Sequence, residues 1–240
     1  MRILVTNDDS VSASGLLPLV RFCQTLGEVT VVVPKFEQSG KSHGIELHKS
    51  FECKQVQLAE DVTAWTVDSS PADCVRFAIL GLKKEFDLVI SGINRGYNIG
   101  TDQIYSGTVG AACEAVALNV PAIALSTSPA YYDRAHEQLE KVWAFVQEKK
   151  LLERHVLYNI NIPPEGKGFR VTHQGGPYYS DEFPHVGNDQ YRPTGVMVYR
   201  NQNDLTLDTD CVMAGYISVM PMTYDKTHWE LYHKLQDINT

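Results

Sequence analysis

Short apolar runs alternate with amphipathic stretches through the first two thirds of the chain. Nearly continuous apolar runs are typical of strands buried in a parallel sheet. Such runs predict strands at residues 2–6, 29–33, 64–67, 88–90, 121–126 and 156–160. Apolar positions at helical spacing predict helices at residues 15–26, 72–82, 108–118 and 133–150. The alternation of strand and helix predicts an α/β fold with a doubly wound, mostly parallel sheet.

The pattern changes after residue 173. Residues 174–194 are rich in Gly, Pro, Tyr, Asp and Asn, and they are longer than an ordinary connection between elements. The residues that follow predict an exposed strand or hairpin arm, a short helix, a late strand and a terminal helix, at 194–200, 210–214, 216–220 and 227–235. We therefore expect a core at residues 1–173 and, at residues 174–240, an extended arm, late strand and C-terminal helix for subunit contact.

Composition argues against several classes of partner. The chain has 240 residues, 43% of them hydrophobic, and a formal net charge of -8. It has no run of Lys and Arg, so a nucleic acid is not an expected partner. No apolar run approaches the ~18 residues of a membrane span, so no membrane partner is expected. The five cysteines are widely spaced and form no CxxC motif, which is typical of reduced thiols and favours a cytoplasmic location.

Two adjacent carboxylates, Asp8 and Asp9, follow the first predicted strand. In an open parallel sheet, ligands bind beyond the carboxyl ends of the strands. Two carboxylates at that position repel each other, and a hard divalent cation is their simplest partner. The alternative interpretation is that the pair only starts a turn.

Oxygen-bearing side chains also follow two other predicted strands. Ser39 lies in the loop after the second strand, and Asn94 lies in a Gly- and Asn-rich loop after residues 88–90. Because these loops leave a parallel sheet at one edge, both side chains can converge with the two carboxylates into an all-oxygen site. Such a site suits Mg²⁺, Mn²⁺ or Ca²⁺ and does not suit Zn²⁺, which usually recruits Cys or His.

The segment Ser106-Gly107-Thr108 opens the helix predicted at residues 108–118. Free N–H groups and the helix dipole attract a phosphate to such an end, and Gly107 permits close approach. A cation beside a phosphate site indicates metal-assisted phosphoester hydrolysis, with a water as nucleophile because no Cys or Ser–His pair is evident. Taken singly, each feature has an ordinary explanation: Ser106 as an N-cap and the glycines as turn residues.

Eight motifs spread over nearly the whole chain carry a family resemblance: Asn7-Asp8-Asp9, Glu37-Gln38-Ser39-Gly40, Ser70-Pro71-Ala72-Asp73-Cys74-Val75, Ser91-Gly92-Ile93-Asn94-Arg95-Gly96, Tyr105-Ser106-Gly107-Thr108-Val109-Gly110-Ala111-Ala112, Asn159-Ile160-Asn161-Ile162-Pro163, Thr209-Asp210 and Gly215-Tyr216-Ile217-Ser218-Val219. They resemble the SurE family, the survival-protein-E-type 5'/3'-nucleotidases. The resemblance implies a Rossmann-like α/β core with an extended, subunit-exchanging C-terminal part, in homodimers or homotetramers.

The resemblance also implies an activity: a metal-dependent, acid-type phosphatase on nucleoside 5'- and 3'-monophosphates, which in some members cleaves short polyphosphate. One divalent cation per subunit, Mg²⁺ or Mn²⁺, is implied as the cofactor. The family's metal ligands fall on Asp8, Asp9, Ser39 and Asn94, and the expected catalytic residues among them are Asp8, Asp9 and Asn94. Its phosphate-binding residues correspond to Asn98, Ser106, Gly107 and Thr108.

Three departures from the family pattern affect loop geometry and substrate preference. Ser10 stands where Gly usually follows the acid pair, Tyr97 replaces a small residue, and residues 43–47 lack the usual Ser/Thr pattern. None of these departures removes a predicted metal ligand.

Two alternatives come from other functional classes. A phospho-receiver module also places two acids after its first strand, with Asp68 here as acceptor, but the lysine it needs is missing after Leu125-Ser126-Thr127. A non-catalytic nucleotide-binding module is the second alternative, and no GxGxxG motif follows a strand to support it.

Overall fold

The structure, a computed structural model, describes residues 1–238. In this part the chain forms β1 (Arg2–Thr6), β2 (Glu28–Pro34), β3 (Cys53–Ala59), β4 (Val62–Val67), β5 (Leu88–Arg95), β6 (Ala122–Thr127), β7 (Leu157–Ile162), β8 (Phe169–Val171), β9 (Tyr179–Glu182), β10 (His185–Gly187), β11 (Gln190–Tyr191), β12 (Thr194–Met197) and β13 (Ile217–Pro221). Nine of these strands form one sheet in the order β3-β4-β2-β1-β5-β6-β7-β13-β8.

Most pairs in this sheet are parallel. Strand β1 pairs in parallel with β2 on one side and with β5 on the other. Strand β4 extends the first side, and β6 and β7 extend the second, all in parallel. Strands β3 and β13 run antiparallel to their neighbours β4 and β7. The chain thus winds away from β1 in both directions, which confirms the predicted doubly wound, Rossmann-like α/β fold.

The α-helices of the described residues are α1 (Leu16–Leu26), α2 (Pro71–Arg76), α3 (Gly107–Ala117), α4 (Leu139–Glu148), α5 (Leu151–Arg154), α6 (Asp208–Met213) and α7 (Trp229–Lys234). A π-helical turn, Phe77–Gly81, continues α2. Three 3₁₀ segments complete the helical structure: Gly100–Tyr105, Tyr132–Gln138 and Gln236–Ile238.

The first strand is buried on both faces. Ile3, Leu4 and Val5 are all 0% exposed. Ile3 and Val5 pack into the core on the α1 side, which includes Leu16, and Leu4 packs into the opposite core, which includes Ala112 of α3. Because both faces are covered by helices, this strand needs an unbroken apolar run, and charged residues can occur only where it ends.

Two predicted helices differ from the observed ones. The helix expected at residues 133–150 is a 3₁₀ segment, Tyr132–Gln138, followed by α4. The polar residues 133–138 bury only Ala135 and give an α-helix little to pack. The helix expected at 72–82 starts one residue earlier, with Ser70 capping it through a 3.1 Å bond from the Asp73 N–H, and ends as the π-helical turn.

Several strands were not expected from the sequence. Strands β3 and β8 lie at the two edges of the sheet and are at most half-buried, so they carry no continuous apolar run. Residues 174–194, expected as a loop, contain β9, β10 and β11. Strand β9 pairs with β12 to form the predicted hairpin arm, and all residues of both strands are exposed. The use of this arm in oligomerisation stays a prediction.

The late strand has a structural role in the core. Strand β13 lies between β7 and β8 in the central sheet, so the chain beyond residue 173 completes the sheet as well as forming the arm. The functional division of the chain after residue 173 stays a prediction. No helix within residues 1–238 is long and apolar enough to cross a membrane.

The loop after β2 is hydrogen-bonded to α3 through Glu114. This side chain is 7% exposed and makes 2.7 Å and 2.9 Å bonds with His43 Nε2 and Arg76 Nη1. The hydrogen bond with His43, together with Arg76, holds the pKa of Glu114 below its usual value. Glu114 therefore joins the loop that carries Ser39 to two helices of the core.

We expect Glu114→Gln to lower the free energy of unfolding at pH 7 by about 1–3 kcal/mol, because two hydrogen bonds to a buried carboxylate are weakened. The folded-state pKa lies below the unfolded one, so this stabilisation is present above the unfolded pKa and is lost as the pH falls below about 4. Urea unfolding at pH 7 and pH 3.5 measures both effects. The exposed Glu148→Gln is the matched control. A deficit of equal size at both pH values would contradict the ionic origin.

Candidate functional site

A cavity of about 560 Å³ lies at the carboxyl ends of β1 and β5, where the sheet reverses its winding direction. Open α/β sheets bind their ligands at this position. Six predicted site residues line the cavity: Asp8, Asp9, Ser39, Asn94, Asn98 and Ser106. The other two, Gly107 and Thr108, lie behind Asp8 at the start of α3.

The cavity is strongly acidic. Among the described residues, its wall contains one basic side chain, Arg95, and five carboxylates: Asp8, Asp9, Glu37, Asp102 and Asp133. This excess of negative charge favours a bound cation. An anionic ligand would enter such a cavity only with a cation that offsets the carboxylates.

Asp8 is held against the first turn of α3. It is 4% exposed, and its Oδ1 accepts a hydrogen bond from the Thr108 hydroxyl. A Cβ on Gly107 would lie 3.2 Å from Asp8 Oδ2, so the glycine allows this close approach. Burial raises the pKa of Asp8 to about 6, with the Thr108 hydroxyl acting in the opposite direction and the charge of Asp9 adding to the rise. A carboxylate that is costly to ionise gains strongly from a bound cation.

Asp9 lines the same cavity and contacts the last residue of β5. Its Oδ2 accepts a 3.0 Å hydrogen bond from the backbone N–H of Arg95. Burial raises the pKa of Asp9, the Arg95 N–H opposes that rise, and the charge of Glu37 adds to it. Both adjacent carboxylates are thus in surroundings that disfavour their negative charge.

Asn94 and Ser39 offer neutral oxygens. The Asn94 amide donates through Nδ2 to the Gly96 carbonyl at 2.8 Å, so its Oδ1 is the end that remains for a ligand. The Ser39 hydroxyl donates to Glu37 Oε1 at 2.6 Å, which leaves its lone pairs as acceptors. Neutral oxygens beside two carboxylates form the mixed donor set that hard cations accept.

The residues present fit a hard divalent cation. Within residues 1–238, no group of three or more His, Cys, Asp or Glu side chains is arranged to hold a metal ion. The predicted set does not need such a group, because it has two carboxylates and completes its oxygens with a hydroxyl and an amide. Mg²⁺ commonly binds in this way, through one or two carboxylates and retained waters. In addition, the buried Oδ1 of Asn7 has no hydrogen-bond partner in the described residues.

Asn98 is fixed by a buried polar network. Its backbone N–H donates to Asn161 Oδ1 at 2.9 Å, and its carbonyl accepts from Asn159 Nδ2 at 2.7 Å. Its side chain donates to Ser126 Oγ at 2.8 Å. Asn159 and Asn161 are 0% exposed on β7, and their individual role was not predicted from the sequence. The signal was present, since two Asn residues alternate along an otherwise apolar buried strand.

Ser106 caps α3 and also lines the cavity. Its Oγ accepts from the Val109 N–H at 3.1 Å, so the ordinary N-cap interpretation describes this contact. Thr108 is fully buried and its hydroxyl is bound to Asp8, so its side chain positions Asp8 and does not form the cavity wall. The predicted phosphate contacts of Ser106, Gly107 and Thr108 stay predictions.

Two further carboxylates connect the cavity wall to the base of the arm. Asp208 is 0% exposed and accepts from the N–H groups of Gly100 at 2.9 Å and Gly175 at 2.7 Å. Asp102, which lines the cavity, accepts from the Tyr179 N–H at 2.7 Å. Neither residue is evident from the sequence, because their partners are backbone groups distant in the chain.

Asp68, the acceptor in the phospho-receiver alternative, does not line this cavity. It is exposed, and its Oδ2 lies 3.9 Å from Lys35 Nζ. A receiver needs its acceptor beside the two acids of the first strand, so this placement disfavours the alternative.

We expect Asp8→Asn to stabilise the metal-free protein at alkaline pH. The folded-state pKa of Asp8, about 6, lies above the unfolded value, so wild-type stability is lost as the pH rises through that value. The variant cannot ionise, and its advantage grows to about 3 kcal/mol at pH 8, since one pKa unit corresponds to about 1.4 kcal/mol. Urea unfolding in EDTA at pH 5 and pH 8 measures this, with the exposed Asp189→Asn as control. Parallel pH profiles for the wild type and Asp8→Asn would contradict it.

Comparison with known proteins identifies the family. The family model described as "Survival protein SurE" matches residues 3–181. The chain is 36% identical over 252 residues to 5'-nucleotidase SurE of Alkaliphilus metalliredigens, covering 100% of this chain and 99% of the relative. It is 38% identical over 250 residues to 5'-nucleotidase SurE of Thermosipho melanesiensis, covering 99% and 97%.

A solved structure agrees. The crystal structure of SurE protein from Aquifex aeolicus superimposes with a TM-score of 0.78 at 28% identity, covering 99% of both chains. The sequence match and the shared fold extend over nearly the whole chain. The protein belongs to the SurE family.

Proposed function

We propose that this protein is a divalent-metal-dependent nucleotidase that hydrolyses nucleoside 5'- and 3'-monophosphates to nucleoside and phosphate. The relatives named 5'-nucleotidase SurE support the nucleotidase activity. The observation that carries the proposal for this chain is one cavity that gathers Asp8, Asp9, Ser39 and Asn94 beside the N-terminus of α3. Carboxylates alone would repel a nucleotide, so the cation is part of the proposal.

Four residues hold the cation in this proposal: Asp8, Asp9, Ser39 and Asn94. A divalent cation bound there, Mg²⁺ or Mn²⁺, would neutralise phosphoryl charge and lower the pKa of a bound water. Thr108 and the Arg95 N–H keep the two carboxylates oriented, since each donates to one of them. Asp9 accepts the proton of the water that attacks phosphorus; the ester P–O bond breaks, and the nucleoside oxygen takes up a proton from solvent.

The phosphate is bound beside the cation, at the N-terminus of α3. Asn98 and Ser106 line it and contact the phosphoryl oxygens, and the first turn of α3, with Gly107 and Thr108, contributes backbone N–H groups and the helix dipole. Among the described residues, the cavity wall contains no Cys or His. This supports direct attack by water over a covalent route through Cys or a Ser–His pair.

Several finer features belong to the same proposal. The enzyme is of the acid type and also cleaves short polyphosphate, it acts in the cytoplasm, and neither nucleic acid nor membrane is a partner. The net charge of -8 supports the absence of a nucleic-acid partner. The chain assembles as a homodimer or homotetramer through its arm. Large apolar side chains exposed on the arm support this assembly, among them Phe183 at 61% and Tyr191 at 62%.

Phosphate release from a nucleotide panel tests the activity. We expect the wild type to release phosphate from 5'- and 3'-monophosphates with Mg²⁺ or Mn²⁺ and to lose this activity in EDTA. Asp9→Asn is expected to lower kcat/KM by about 100-fold or more, because a carboxylate of the metal site becomes neutral. Glu60→Gln also neutralises a carboxylate, at an exposed position between β3 and β4, and should leave kcat/KM unchanged. Activity that survives both EDTA and Asp9→Asn would refute the mechanism.

Solution scattering tests the assembly. We expect the wild type to have the mass of a dimer or tetramer, and Phe183→Asp to shift it toward the monomer by placing a charge on the arm. Leu80→Asp introduces the same charge at an exposed apolar position outside the arm, 51% exposed, and should retain the wild-type mass. A monomeric wild type at micromolar concentration would contradict this part of the proposal.

A further inference from the structure

Tyr132 is a buried residue of the cavity wall that neither the sequence motifs nor the proposed mechanism uses. It begins the 3₁₀ segment Tyr132–Gln138, after β6, and is 6% exposed. It lines the same cavity as Asp8 and Asp9. Its hydroxyl has no hydrogen-bond partner within the described residues. An unpaired buried hydroxyl is unfavourable unless a ligand or water completes it.

The ring of Tyr132 is fixed in place by close packing on Gly15. A Cβ on Gly15 would lie 2.9 Å from the Tyr132 Cζ and 3.0 Å from its hydroxyl oxygen, so only a glycine leaves room for the ring. The hydroxyl is therefore held at a defined place in the cavity wall. Its polar neighbours are the Asp9 carboxylate, which after burial raises the pKa of Tyr132, and the Gly15 backbone, which opposes that rise; neither lies within normal hydrogen-bond distance of the hydroxyl.

The chemistry of the wall indicates which ligand this hydroxyl suits. The five carboxylates of the cavity are acceptors when ionised, and they bring no donor for a phosphate. A phenol with an ordinary pKa of about 10 is protonated at neutral pH and donates one hydrogen bond. Phosphoryl oxygens are strong acceptors, and a hydrogen bond to a charged acceptor is stronger than one to a neutral acceptor.

We propose that Tyr132 is a substrate-contacting residue whose hydroxyl donates a hydrogen bond to a phosphoryl oxygen of the bound nucleotide. This inference rests on the proposed nucleotidase function and extends it by one phosphate contact. It explains why a buried hydroxyl without a protein partner lies beside Asp9. It also assigns a reason for the glycine at position 15, which makes room for the ring.

The test is Tyr132→Phe, with Tyr131→Phe as the matched control. Tyr131 is the neighbouring residue, is 9% exposed, and does not line the cavity. Three quantities are measured in the presence of Mn²⁺: kcat and KM for 5'-AMP, the dissociation constant of inorganic phosphate by calorimetry, and the free energy of unfolding. We expect Tyr132→Phe to weaken phosphate binding and lower kcat/KM about tenfold or more. Its unfolding free energy should not fall, because the lost hydroxyl has no protein partner. Tyr131→Phe should leave phosphate binding and kcat/KM at wild-type values.

Two results would overturn the inference. Wild-type phosphate affinity and kcat/KM in Tyr132→Phe would show that the hydroxyl contacts no phosphate. A lower free energy of unfolding in the same variant, with a phosphate affinity that is unchanged after correction for the fraction of folded protein, would show a structural role instead.

The calorimetric measurement separates this inference from the proposed function. A wild type that binds phosphate but hydrolyses no nucleotide would refute the nucleotidase function, and weaker phosphate binding in Tyr132→Phe would still support the contact. A wild type that neither binds phosphate nor hydrolyses nucleotides would refute both.

Discussion

The constraint on which the rest of the site depends is a pair of adjacent carboxylates, one buried and one half-buried, just beyond the central strand β1. Strand β1 is central and covered on both faces, so Asp8 and Asp9 emerge where the sheet reverses direction and the protein opens to solvent. The protein offsets their charge only in part, with the Thr108 hydroxyl on Asp8 and the Arg95 N–H on Asp9. Glu37, near Asp9, adds further negative charge. In the proposed function, the remaining imbalance would give a divalent cation its affinity for this place.

A second property of the site is that its loop is held at both ends. Loops at strand ends are usually the least ordered parts of a sheet protein. Here Asn98 is tied to two buried Asn residues of β7, and Ser106 caps α3, so both ends of the connecting 3₁₀ segment are fixed. Burying several amides is favourable only because they satisfy one another. The candidate phosphate contacts are thereby hydrogen-bonded to β7 and to the first turn of α3.

The sequence predicts what depends on local pattern. Unbroken apolar runs identified the central strands, and the position of Asp8 and Asp9 after the first of them identified the edge where the cavity lies. Edge strands such as β3 were not predicted, because a half-exposed strand needs no apolar run. The roles of Asp208 and Tyr132 were not predicted for another reason. Asp208 contacts Gly100 and Tyr132 contacts Gly15, and both contacts join residues that are distant in the chain. Such pairs become visible only when the fold brings them together.

The same long-range contacts link the cavity to the arm. The backbone of the arm donates to Asp102 through Tyr179, and Asp208 binds the cavity segment at Gly100 and the base of the arm at Gly175. Each of these hydrogen bonds joins a backbone N–H to a carboxylate oxygen, so the side chains of Asp102 and Asp208 are the links between the two segments. The arm itself packs little against its own chain, since all residues of β9 and β12 are exposed. In the proposed assembly, a partner bound to the arm would therefore be linked to the segment Gly100–Tyr105 of the cavity through these two carboxylates.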